Sequence, residues 1–522
     1  MVSSFDESFR VTWQNPRDAE SIWAIDRNHF SHPVPPLAEE LYRRIIAASW
    51  ETPCVFVNGY AYLRDFGPPP TPPEVTERGA PSVWRQDYLP KVRQLCAAIR
   101  VRDYDSMTPA EIVAMLPRIF AESAEAFRYP TVVASAFMGP GMALADFCER
   151  EIGSEGPLLV ATLLQGFANE SIAAGVSLGE LAEFAQSKPE VAQALAEGRY
   201  DDISSLPGGE EFSSRLVSVL DNYGWRADDW SLVHLPTWIE EPKTPLFLIG
   251  RYLADPSRSP AEAMRRSVQL REATARDIES RLAPEKRPQF QQMLAAAQSH
   301  VQFSEERALW QLVAVGSVRV PLLTLGRQLV ESGVLNDPGD VFFLRLDELE
   351  DVAVNAHSVA GLVLQRREDL DRWETLDPPT SVGRPLIVSD RSPQSQIVHR
   401  YFFGTPLPQS EGSLIQGIAA SQGVISARAR VVRTLADSDT LQAGEILVCR
   451  NTAPPWTPLF AIAGAVVTDI GGLLSHSAIC AREYAIPCVV GTRVATSRIA
   501  NGDLITVDGT AGTVVIEGAT AG

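Results

Sequence analysis

Near residue 376 the pattern of apolar residues changes, and this change constrains the fold more than any other feature. Before it, apolar side chains recur every three or four residues. PKVRQLCAAIRV (90–101), TPAEIVAMLPRIFAESAEAF (108–127) and residues 159–186, 261–282 and 308–333 all show this spacing, which predicts amphipathic helices. After it come short β-type runs: GVISARARVV, GEILVCR, GAVVTDI, PCVVGT, DLITVDG and GTVVIEG. They are interrupted by one clear helix, expected over 477–485. The stretch between, 376–413, is rich in Pro, Ser and Gly with little periodicity, as in a linker. With 522 residues the chain is too long for one core. The predicted organisation is a large, mostly α-helical domain over 1–375, a linker over 376–413 and a compact β-rich domain over 414–522.

Local signals add detail. FGPPPTPPEVTERGAP (66–81) reads as an extended loop, because proline supports neither helix interior nor central strand. Thr108 followed by Pro109 and Glu111 is a capping-box helix start. Gly333 marks a helix stop, and VFFLRL within 337–352 reads as a short strand. Loops are expected around 206–209 and 224–246.

The net charge is −19 and the pI near 4.9. Phosphate neutralisation needs clustered Lys and Arg, so no nucleic-acid surface is expected. The first residues, MVSSFDESFRVTWQNP, are acidic and lack an apolar run, unlike a signal peptide. No run of about 18 apolar residues occurs, so no membrane span is expected. The six cysteines are scattered without a CxxC pair, which suits buried thiols in a reducing cytoplasm.

The chain has seven histidines, and one stands in GGLLSHSAICAREYAIPCVVG (471–491). A strand ends at Gly471-Gly472, where glycine allows positive φ and close backbone approach. Ser475 and His476 follow at a predicted helix start, whose free N–H groups and dipole favour an anion. Ser475 adds a hydroxyl donor. Imidazole, with an ordinary pKa of about 6.5, is a nucleophile near neutral pH. The set suits a histidine that accepts and stabilises a phosphoryl group. Taken alone, a histidine so placed is more simply read as a helix-capping residue without chemistry. A metal site from His476, Cys480 and Cys488 lacks a second histidine or an acidic cluster, so no metal is expected.

The longer stretch TDIGGLLSHSAICAREYAIPCVVGT resembles the swivelling phosphohistidine domain of the phosphoenolpyruvate-utilising, dikinase-type phosphotransferases. That group includes phosphoenolpyruvate synthase, pyruvate phosphate dikinase, rifampin phosphotransferase and phenylphosphate synthase. The resemblance spans about 410–520, through SQGVISARARVV, GEILVCRNTAPPWTPLF and VDGTAGTVVIEG. It implies a β/β/α swivelling fold over 414–522, with His476 as phosphoryl carrier and Gly471, Gly472 and Ser475 around the phosphate. Many members have Thr where this chain has Leu474, which leaves Ser475 as the hydroxyl.

FSSRLVSVLDNYGWRADDWSLVHLPTWIEEP (212–242) and DPGDVFFLRLDELEDV (337–352) resemble the helical substrate domain of the rifampin phosphotransferase group. The related pattern often reads Gly-His-Arg where this chain has Gly224-Trp225-Arg226. Arg226 is thereby a phosphate-binding candidate, with a structural role as the alternative. Transfer to a hydroxyl needs a base, and DRNHFSHP offers Asp26, His29 and His32. Imidazoles hydrogen-bonded in a Pro-rich loop are the other reading. Trp13, Trp23, Trp50 and Trp84 fit a core at least as well as an aromatic substrate cage.

The resemblance also shapes the expected partners. Such enzymes use an ATP-grasp nucleotide domain, and this chain opens at FRVTWQNPRDAESIWAIDRNHF, like the start of a substrate domain. It has no GxxxxGK[ST] loop and no pyruvate-binding barrel after residue 522. The expectation is therefore a substrate-binding and phosphohistidine-carrier subunit of a split, ATP-dependent phosphotransferase. ATP and Mg²⁺ would sit on a separate ATP-grasp subunit, and a small, phenolic hydroxyl compound would accept the phosphoryl group. The alternatives are a subunit of a phosphoenolpyruvate-forming synthase and a non-catalytic phosphocarrier or regulatory protein.

Overall fold

The computed structural model describes residues 9–517, apart from 28, 65–70, 154, 168–169, 257–259, 377, 385–411 and 474. Its contacts group into two units. One comprises residues 1–135, 229–236 and 310–392, the other residues 136–228, 237–309 and 393–522.

In the first unit a four-stranded antiparallel sheet has the order Cys54–Val57, Tyr60–Leu63, Ile22–Ile25, Ser381–Gly383. Phe9, Trp23, Val57, Tyr60, Tyr62 and Val382 pack as its core, with Trp13 and Trp373 against them. The hairpin turn is Asn58-Gly59, with φ of 50° and 73°, the pairing that a two-residue turn matched to strand twist requires. Long helices make up much of the rest. Pro109–Ile152 begins with the expected capping box: Glu111 accepts from the Thr108 N–H at 2.8 Å, and the Thr108 hydroxyl accepts from the Glu111 N–H at 3.4 Å. Arg319–Glu331 stops just before Gly333, whose φ is +74°.

In the second unit an eight-stranded sheet has the order Leu414–Gln416, Thr513–Ile516, Leu504–Asp508, Val424–Val431, Ile446–Cys449, Ala465–Thr468, Cys488–Val490, Ile418–Ser421. The middle pairings, from Val424–Val431 to Cys488–Val490, are parallel and the flanking ones antiparallel. Ile446–Cys449 and Ala465–Thr468 are wholly buried, which is why they read as unbroken apolar runs rather than alternating ones. The helix His476–Glu483 lies within two residues of its expected place. The chain is thus a mostly α-helical region with a C-terminal β-rich swivelling-type domain.

Three local expectations are corrected. VFFLRL is not a strand: Pro338–Phe343 is a 3-10 helix, followed by the α-helix Leu346–Asn355. The Asp337-Pro-Gly-Asp340 turn captures the backbone first, with Asp340 accepting from the Asp337 N–H at 3.0 Å. A short apolar run cannot by itself tell the two apart. The proline stretch 66–81 is not extended throughout: Pro73–Arg78 and Ala80–Val83 are helical, since proline is tolerated in the first turn. Residues 65–70 lie outside the described residues. In the predicted linker, Ser381–Gly383 is a strand on Ile22–Ile25, and 385–411 fall outside the described residues.

Two helical stretches, Pro109–Ile152 and Pro284–Glu331, carry windows of mean hydropathy 1.3 and 1.5, long and apolar enough for a membrane. These windows are 60% and 83% buried in protein, as in core helices.

At Gly59 an added Cβ would lie 2.9 Å from Pro33 and from the Val34 backbone, in a left-handed conformation. Gly59→Ala should lower unfolding stability by about 1–3 kcal/mol, read by denaturant titration. An unchanged midpoint would refute this role of the turn.

Candidate functional site

The His476 loop is built from the sheet outward. After Ala465–Thr468 the backbone still pairs: the Asp469 N–H donates to Cys449 O at 3.2 Å, and the Ile470 N–H to Arg450 O at 2.9 Å. Gly471 then turns at φ +131°, and a Cβ there would stand 2.8 Å from the Ser475 hydroxyl. Only glycine lets the loop fold back so closely. Ser475 is the N-cap, yet its side chain does not cap the helix. Its buried Oγ has no hydrogen-bond partner among the described residues. Leu474 lies outside them, and the Gly472 carbonyl accepts from the Ser475 N–H at 3.0 Å, closing the turn before His476.

His476 is the first residue of the helix His476–Glu483. Its Nε2 lies 3.2 Å from Thr457 Oγ1 and 3.3 Å from Cys480 Sγ. Thr457 is fully buried and belongs to the 3-10 helix Pro454–Ala461. One turn along the helix, Cys480 presents its thiol to the same imidazole, as i,i+4 spacing requires.

Arg482 and Glu483 end this helix and fix its place. The Arg482 guanidinium donates to Ala420 O at 2.7 Å and to Leu473 O at 2.9 Å, tying the neighbouring edge strand and the His loop to the helix. Burial lowers its pKa to about 10. Glu483 accepts from the Gly166 N–H at 2.7 and 2.9 Å, and its carbonyl accepts from the Ser267 hydroxyl at 2.7 Å. Burial raises its pKa to about 7, opposed by the Gly166 hydrogen bond and by Arg482 and Arg271. Leu473 packs against the helical cluster of Leu144, Phe147, Leu163 and Phe290. More contacts join the same parts: Tyr252 donates to Pro458 O at 3.4 Å, and Lys243 pairs with Asp439 at 2.8 Å.

Arg226 is also in the second unit. Its guanidinium is fully buried, 4.5 Å over the Trp238 ring. In the first unit, Asp26 and His29 come together. Asp26 follows the strand Ile22–Ile25 and is fully buried, with Oδ2 3.0 Å from His29 Nδ1. His32 is directed elsewhere, with Nδ1 2.8 Å from Glu374 Oε1. His234 is an electrostatic neighbour of that pair, its pKa lowered to about 3 by burial and by Arg319. Trp23 and Trp84 are core residues, as is Trp50 at 9% exposure. Among the described residues no three His, Cys, Asp or Glu side chains form a metal-holding group.

Residue patterns did not single out Thr457, Glu374 or Glu483. They become partners only when distant segments meet, and no spacing in the chain announces that. Cys480 was legible as a neighbour of His476 through its i,i+4 spacing alone.

Residues 441–512 match the family model of the PEP-utilising enzyme mobile domain, and residues 128–305 that of the rifampicin phosphotransferase fourth domain. The resemblance seen at His476 therefore extends into the helical part of the chain. Among individual relatives, the rifampicin phosphotransferase of Streptomyces sviceus is 30% identical over 439 residues, covering 80% of this chain and 48% of the relative. Chondramide synthase cmdD of Chondromyces crocatus is 28% identical over 551 residues, 97% of this chain and 14% of the relative. The uncharacterized phosphotransferase YvkC of Bacillus subtilis is 29% identical, over 64% of this chain and 39% of its own length. The chain spans less than half the length of each.

Glu483 has a folded pKa above its ordinary 4.5. Its contribution is therefore full below about pH 4.5 and is lost as pH rises through about 7. Across that interval the wild type should lose on the order of 2 kcal/mol that Glu483→Gln does not lose. Denaturation series at several pH values for both proteins check this. Parallel pH profiles would contradict it.

Proposed function

We propose that this chain is the acceptor-binding and phosphohistidine-carrier part of an ATP-dependent phosphotransferase, with His476 as carrier. The observation that supports this most is the setting of His476. It stands at a helix start, beside a glycine turn and a buried serine hydroxyl without a partner, within a segment matching the PEP-utilising mobile domain. The Thr457 hydroxyl lies 3.2 Å from Nε2 and can donate to it in the tautomer whose lone pair is on that nitrogen, the form that would attack phosphorus. Once phosphorus occupies Nε2, the same hydroxyl can donate to a phosphoryl oxygen instead. Ser475 Oγ and the first N–H groups of the helix supply further donors.

The β-phosphoryl group would arrive from ATP bound with Mg²⁺ on a separate ATP-grasp subunit, leaving AMP, while water takes the γ-phosphoryl group as inorganic phosphate. The β-phosphoryl group would then pass to the hydroxyl of a small organic molecule, a phenol by preference, held by the helical part of the chain. Two relatives support an organic acceptor by name, as phosphotransferases of rifampicin. A carrier serving two sites must leave its dock, and breaking the Glu483–Gly166 contact is part of that movement. The protein would work in the cytoplasm, where ATP is at hand.

The test loads the chain from ATP through an ATP-grasp partner, removes nucleotide, and adds phenols, alcohols and pyruvate. Protein-bound phosphorus should leave as phosphate monoester, one for one, and His476→Ala should take up none. Loading of His476→Ala at the wild-type level would refute the proposal. Delivery to pyruvate alone would replace it with a phosphoenolpyruvate-forming enzyme.

A further inference from the structure

The Asp26–His29 pair has the geometry of an oriented general base. Asp26 is fully buried, whereas the His29 side chain is 25% exposed. Oδ1 accepts from the His29 backbone N–H at 3.2 Å while Oδ2 faces Nδ1 at 3.0 Å. The carboxylate thus fixes both the backbone and the ring of His29. With Nδ1 turned to the carboxylate, Nε2 is the nitrogen that takes up a proton. A buried carboxylate behind an imidazole sets its tautomer and stabilises the imidazolium that forms.

The surroundings of this imidazole point to a flat partner. Its ring centroid lies 4.8 Å from that of Trp50 and 6.1 Å from that of Trp230, the latter edge-on. Trp50 in turn lies 6.3 Å from Phe127. The Trp230 indole nitrogen is buried without a hydrogen-bond partner among the described residues. A buried donor left unpaired is costly, a cost that a ligand oxygen would offset. His32 lacks this setting, because its ring is 5% exposed and paired with Glu374.

We infer that Asp26, His29, Trp50 and Trp230 form the acceptor site for an aromatic hydroxyl compound, with His29 as its base. This rests on the phosphotransfer proposed above. In the step, the phenolic O–H gives its proton to His29 Nε2. The oxygen forms the new O–P bond while the N–P bond to His476 breaks, and that electron pair returns to the His476 imidazole. The Asp26 carboxylate balances the His29 imidazolium. The aromatic rings hold the acceptor by stacking and edge contacts.

p-Nitrophenol tests the site without any phosphorus, because its ionised form has its own absorbance. The full chain should bind it with quenching of tryptophan fluorescence, and the bound form should be shifted towards phenolate. Phenol should compete and cyclohexanol should not. Trp50→Ala should weaken binding about tenfold. His29→Gln should bind within a few-fold of wild type but leave the ligand protonated, and Asp26→Asn should fall between. Equal competition by cyclohexanol, or phenolate formation in His29→Gln as in wild type, would overturn the assignment. A transfer arm separates the two proposals. His29→Gln should still load His476 but pass phosphorus to phenol at least about a hundredfold more slowly. Wild-type transfer in His29→Gln would sink the base and leave the carrier proposal standing. His29-dependent binding in a chain that never loads would support the site and sink the carrier.

Discussion

The arrangement around His476 depends on two adjacent side chains at the far end of its helix. Arg482 is buried and donates to carbonyls of the His loop and of a sheet edge strand. Glu483 is buried beside it and accepts from the Gly166 N–H of the helical part. Each ion needs partners, because an unpaired buried charge costs several kcal/mol. The two point opposite ways: Arg482 holds the domain together internally, and Glu483 holds it to its neighbour. The helix is thus anchored at its C-terminal end and carries His476 at the opposite end.

The two contacts differ in how readily they give way. Arg482 stays charged, with its pKa lowered only to about 10, so the internal tie persists across the physiological range. Glu483 titrates near neutrality, so the docking tie changes with its protonation. The carrier role proposed above would draw on that combination: a helix held firmly within its own domain, and a contact to the helical part that changes with protonation.

The change from helices to strands after residue 414 was legible in the sequence because helical and strand-type apolar patterns differ in period, whereas the division of the helical part between two contact units was not. All six β-type runs after 414 became strands, since turn residues bound each of them. The failures came where local turn chemistry overrode the run, as Asp337-Pro-Gly-Asp340 did for VFFLRL, or where proline sat in a first helical turn. The two edge strands beside Gly417 were too short to show a pattern. Of the site, His476, Gly471 and Ser475 were visible because they are adjacent in the chain. Asp26 and His29 were visible as candidates because both stand in DRNHFSHP, but their pairing with each other was not, and His32, three residues on, turns to Glu374 instead. The aromatic neighbour of His29, Trp230, was not visible, because some 200 residues separate the two.

The central claim is that phosphorus resides on an imidazole nitrogen and not on a neighbouring hydroxyl. Phosphorus-31 NMR of the loaded, nucleotide-free chain tests this most directly, since Ser475 and Thr457 are both close enough to compete. One phosphoramidate resonance is expected, which disappears on acidification, survives in base and is missing in His476→Ala. A phosphoester resonance that is stable in acid and persists in His476→Ala would contradict it.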